Sequence, residues 1–173
     1  MNIKSFFTLL LAVLCTIFIC SCNGSDEPLS ARDDLSAKSI AEPIERSLAN
    51  NALLEPASQR YIKANVTSES ISDSAIEYVV KTSLSQVCDE YGVFKAKDAA
   101  NASALCDSVN RSLDRRRESW DGRYYSEDES KILAARAMQF GRYVVYGVLD
   151  PDELELLFET AKSIIYQSPG EKS

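Results

Sequence analysis

The chain has 173 residues, a formal net charge of −7 and no histidine. Without an imidazole, Ser-His-Asp and Cys-His catalysis are excluded, and the commonest ligand for zinc and copper is missing. The acidic balance argues against sequence-independent binding to nucleic acid or anionic lipid, since both require excess cation.

Residues 1–21 have the three-part layout of a secretory signal. Lys4 precedes an apolar run from Phe6 to Ile19, followed by small or thiol residues. The run is too short to span a bilayer as a mature helix. Its end, Ile19-Cys20-Ser21-Cys22, resembles the lipobox of bacterial lipoproteins, in which an aliphatic, a variable and a small residue precede the lipidated cysteine. The resemblance implies that residues 1–21 are removed and that Cys22 carries the lipid. Cys15 lies inside the apolar run, and cutting before Cys20 would put Ile19 where the pattern requires a small residue. Several buried acyl chains hold a protein at a bilayer far better than one. Asn23 stands where inner-membrane lipoproteins of Gram-negative bacteria typically carry Asp, which by the same resemblance implies the outer membrane; the expected location is there, facing the periplasm.

Of the five cysteines, Cys88 and Cys106 then remain as a pair in an oxidising compartment. A disulfide between them is expected, and closing that loop would contribute about 3 kcal/mol on a chain-entropy estimate.

Taken in order, residues 22–36 carry Gly24 and Pro28 but no periodic apolar face, and they read as a lipid anchor and flexible tether. Fully extended at ~3.3 Å per residue, the tether would reach about 45 Å. Residues 37–168 read as the domain and 169–173 as a disordered tail. Ile40, Ile44 and Leu48 predict a first helix to about Leu54 with Pro43 near its start, and a short piece follows Pro56 through Tyr61, Ile62 and Val66. From Asp73 to Tyr91 the spacing of Ile76, Val79, Val80, Leu84, Val87 and Cys88 predicts one buried helical face, with Ser74-x-x-Glu77 as a capping box. Ala102, Leu105, Cys106, Val109, Leu113 and Trp120 predict a helix over 102–120, antiparallel to the last, which would bring Cys88 level with Cys106. A further helix is expected from Glu127 to Tyr146 behind Ser126-x-x-Glu129, and a last one opens at Asp150-Pro151. The expected fold is all-α, a compact bundle of five to six helices stapled by one disulfide.

The most suggestive surface stretch combines Arg116, Arg117, Trp120, Arg123, Tyr124 and Tyr125. Trp, Tyr and Arg are the residues enriched in protein-binding hot spots. The same residues also suit a helix C-terminus with aromatics packed beneath the bend. The acidic groups at 127–129 and 150–155 fall at helix starts, where the helix dipole accounts for them. No catalytic, metal or cofactor constellation is evident, and no small-molecule substrate follows. The expected function is a membrane-anchored, non-catalytic binding lipoprotein that assists or regulates assembly of an envelope complex. In architecture alone it resembles pilotin-type lipoproteins, with a partner helix received in a groove. The alternative is an immunity or exclusion lipoprotein directed at a toxin or an incoming conjugation or phage apparatus.

Overall fold

The computed structural model describes residues 30–49, 53–67, 74–83, 88–121 and 126–167. Helix α1 (Ala37–Ser47) starts where the Ser36 hydroxyl accepts the Ser39 N–H, and it buries Ala37, Ile40, Ala41 and Ile44. Pro43 lies in its interior. A proline there removes a backbone hydrogen bond and costs ~3 kcal/mol. Ile40 and Ile44 are fully buried, and at about 1.5–3 kcal/mol each they offset that cost.

Strand β1 (Leu54–Pro56) and helix α2 (Gln59–Asn65) come next, then β2 (Ala75–Ser83), β3 (Glu90–Ala96) and the long helix α3 (Ala99–Glu118). A 3-10 turn (Ser126–Asp128), α4 (Glu129–Ala134), β4 (Arg136–Phe140), β5 (Tyr143–Val148) and α5 (Pro151–Ile165) follow.

The all-α expectation is overturned. The strands form one five-stranded antiparallel sheet in the order β1-β2-β3-β5-β4, so the fold is mixed α/β. Within 73–91, the stretch expected to be a helix, the described residues are mainly β2 and the start of β3. The helix expected over 127–146 is instead α4, β4 and most of β5. The cause is double burial. Strands β3 and β5 are buried along their whole lengths, and a strand covered on both faces loses the period-two alternation that would reveal it. In β2, a register irregularity between Ala75 and Glu77 breaks the alternation as well.

Helices cover both faces. One apolar layer joins α1 and α5 to Tyr91, Val93, Tyr143 and Val145. The other joins α2, α3 and α4 to Val80, Phe94, Val144 and Tyr146. Phe140 pairs with Tyr143 across the two-residue turn Gly141–Arg142, where Gly141 takes the positive φ that such turns require.

The outer edge of β4 is closed by a side chain. Asn110 of α3 donates from Nδ2 to the Ala137 carbonyl at 3.1 Å and accepts the Ala137 N–H at 2.8 Å. The residues before α1 lie against the domain. The Arg32 N–H donates to the Ile165 carbonyl at 2.9 Å, the Tyr143 hydroxyl donates to the Leu35 carbonyl at 2.9 Å, and Ala31 and Leu35 pack on the first apolar layer.

The disulfide is corrected too. Cys88 and Cys106 are free thiols. The helical hairpin that would have brought them level does not exist, because Cys88 lies in the connection before β3 while Cys106 lies on α3.

Candidate functional site

Two features stand out, a buried polar cluster at one end of the sheet and an open groove along its β4 margin. The cluster involves the residues singled out by sequence. On α3 the stripe Ala102, Leu105, Val109 and Leu113 is buried, and continuing it by three or four residues reaches Arg116 and Arg117. Both therefore turn inward. Arg116 donates from Nη1 to Glu90 Oε2 at 3.0 Å. Glu90 opens β3 and is 0% exposed, while the Arg116 side chain is 23% exposed. The Tyr61 hydroxyl donates to Glu90 Oε2 at 2.6 Å, and the Tyr146 hydroxyl donates to Oε1 at 2.7 Å.

Helices α2 and α3 and strands β3 and β5 thus meet at one carboxylate. Burial, then the Glu90 charge, pushes the Tyr61 hydroxyl up to about 12 and Tyr146 well above its ordinary value. Burial alone would lower the pKa of Arg116, but Glu90 outweighs it and the net shift is upward. Protein donors occupy both oxygens of Glu90, so this cluster ties elements together rather than meeting a ligand.

Arg117 donates from Nη2 to the Ala135 carbonyl at 2.8 Å and pairs with Asp114. Among the described residues its buried Nε has no hydrogen-bond partner. Trp120 is half-buried against the second apolar layer. The structure thus brings Arg116, Arg117 and Trp120 to the end of α3, where Arg116 enters the Glu90 cluster. Arg123, Tyr124, Tyr125 and the lipidation candidate Cys22 lie outside the described residues.

Beside this cluster Lys131 pairs with Asp89, with Asp128 at 3.6 Å and with Asp150 at 3.8 Å. Burial lowers its pKa, but the Asp89 hydrogen bond and the surrounding carboxylates raise it further than burial depresses it. Burial, aided by Asp128, pushes the Cys88 thiol up to about 12, and burial also raises Cys106. Neither thiol is poised as a nucleophile, because the thiolate is the reactive form. Among the described residues, no group of three or more His, Cys, Asp or Glu side chains is placed to hold a metal ion. No helix among them is long and apolar enough to cross a membrane.

The groove has a different character. Helices α1 and α5 lie over the middle of the sheet, and the face of β4 beside α5 stays open, leaving a cleft of about 630 Å³. Met138 and Phe140 come from β4, and Phe158 and Tyr166 from the α5 side. Phe140 lies 6.4 Å from Phe158 and 6.5 Å from Tyr166, ring centre to ring centre. Arg136 places its guanidinium 4.9 Å over the Phe158 ring and pairs with Glu155 at 2.5 Å. Glu159 and Lys162 complete a rim of mixed charge. Met138 is 39% exposed, against 5% for Phe140 and 3% for Phe158. An adaptable thioether therefore faces solvent above a fixed aromatic base.

Sequence reasoning did not assemble this groove, because it exists only where a sheet margin meets a helix. Glu90 was also missed. Its signal was an acidic residue set directly into an apolar run, Glu90-Tyr91-Gly92-Val93-Phe94.

No known protein family, characterised protein or solved structure matches this chain.

Proposed function

We propose that this protein is a lipid-anchored, non-catalytic binding protein of the bacterial envelope, which receives a helix of a partner in assisting or regulating an envelope complex. The groove along β4 and α5 carries the reading. It joins an aromatic base to a rim with both signs of charge, and it is open-sided. Such a surface suits the apolar stripe of an amphipathic helix with mixed charges on its flanks. Strand addition is the other common mode of peptide recognition, but Asn110 occupies the Ala137 groups that an added strand would need. The groove also lies where the α1–α5 layer leaves the sheet uncovered, so a docked helix would extend that layer.

The test is affinity capture from detergent-extracted membranes with intact wild-type protein and with Met138→Glu, followed by mass spectrometry of bait and captured proteins. The expected result is a diacylglyceryl mass on Cys22 and an envelope-complex subunit that Met138→Glu loses at an unchanged melting temperature. A captured toxin would overturn the assembly role in favour of immunity. An unmodified Cys22 would overturn the anchor.

A further inference from the structure

The structure fixes where the chain leaves the domain. Residues 30–36 are held by the Arg32–Ile165 and Leu35–Tyr143 hydrogen bonds and by the packing of half-buried Ala31 and Leu35 on the first apolar layer. Ala31 sits on the β4–β5 turn, so close that a Cβ added at Gly141 would stand 2.5 Å from its methyl. Gly141 directly follows Phe140, and Ile165 directly precedes Tyr166, and both of those rings line the groove. The chain therefore departs beside one end of the groove. The opposite end of α5 is marked by the Lys131–Asp150 pair. At ~1.5 Å per residue, α5 separates those ends by roughly 20 Å.

Resting on the lipid-anchor reading, we infer that the domain rides on the bilayer with its Gly141–Tyr166 end toward the headgroups, so that its groove is offered to an amphipathic helix lying at the membrane surface. Only residues 23–29 separate lipidated Cys22 from the held segment, and fully extended they span at most roughly 30 Å. That is less than the ~40 Å expected across a domain of this length. The domain therefore cannot turn freely above the membrane, because its far end would have to pass through the space the short link confines. A partner segment lying at the bilayer surface meets the groove from its near end, and one projecting deep into the periplasm does not.

The test uses the full lipidated chain in proteoliposomes containing an acceptor-labelled headgroup lipid. A donor fluorophore is placed by a click-reactive residue either at Lys162, in the groove, or at Ser130, on the exposed side of α4. Energy transfer to acceptors spread over a surface falls steeply with height above it, so transfer from position 162 should exceed that from position 130 several-fold. A Gly/Ser spacer of about twenty residues inserted after Asp26 should remove the difference. Equal transfer without the spacer, or greater transfer from position 130, would overturn the orientation while leaving the anchor standing. Protein that fails to float with the vesicles would overturn the anchor, and the inference with it.

Discussion

Replacing Arg116 with Met removes the only cation hydrogen-bonded to Glu90 among the described residues and leaves a side chain of similar reach. Glu90 would stay 0% exposed with two tyrosine hydroxyls as its remaining donors. Breaking a buried ion pair from one side costs about 3–5 kcal/mol, because the remaining charge is left without its partner. The two hydroxyls soften that loss, so about 3 kcal/mol is expected. For a domain whose stability lies in the usual ~5–15 kcal/mol range, this is a large fraction. At about 2–4 °C per kcal/mol for a chain of this length, the melting temperature should fall by roughly 6–12 °C. Urea denaturation of wild type, Arg116→Met, Glu90→Gln and the double variant would give the loss and the coupling energy. A surface arginine costs within about 0.5 kcal/mol when replaced. A loss below ~1 kcal/mol with no coupling to Glu90 would therefore refute the buried cluster and return Arg116 to the surface.

Gly92→Ala should destabilise by about 1–3 kcal/mol through overpacking, since its methyl would stand 2.3 Å from Tyr146 Cε1 on a ring tethered to Glu90. A neutral result in thermal denaturation would contradict that packing. Asn110→Ala should lose roughly 2 kcal/mol with the two Ala137 hydrogen bonds. It should also introduce concentration-dependent association through the freed β4 edge, and sedimentation velocity showing only monomer would count against this. Alkaline stability follows from Tyr61, Tyr91 and Tyr146, whose pKa values burial and then neighbouring carboxylates raise in the folded state. Because the folded pKa is the higher one, their contribution is intact below about pH 10 and is lost above it. Each tyrosine that ionises only on unfolding removes about 1.4 kcal/mol per pH unit. Urea midpoints measured from about pH 8 to about pH 11 should drop steeply at the top of that range, and the drop should shrink in Tyr61→Phe. A midpoint that stays flat over that range would contradict the burial.

Where a proline marks a helix start, the sequence was readable. Asp150-Pro151 does open α5, and the stretch after Pro56 does become a helix, capped by Ser58. The long helix before the arginines is real as well, although its cap is Asp98 and Asn101 donates to it. The central strands were not readable, because their side chains pack against helices on both faces and apolar residues stand next to one another. Glycines compounded the error. Gly92 and Gly147 directly follow the helices expected to end at Tyr91 and Tyr146, yet each sits where a Cβ would strike a packed side chain, Tyr146 in one case and Leu154 in the other. Ser74-x-x-Glu77 had the form of a capping box, but Glu77 accepts the N–H of Ala37 and so caps a different helix. Arg116 and Glu90 show the same limit. Each was visible as a charge in an apolar pattern, but their pairing depends on a strand order that no local spacing encodes.

That strand order also bears on how the chain acquires its shape as it emerges from N- to C-terminus. β3 lies at the centre of the sheet, and its second neighbour is β5, nearly at the end of the chain. Until residues 143–148 emerge, β3 is paired on one side only, and Tyr146 has not yet reached Glu90. The early hairpin and the first helices cannot close the core by themselves. If the chain is exported as proposed above, a sheet completed by its last strand would delay folding until transit was nearly over.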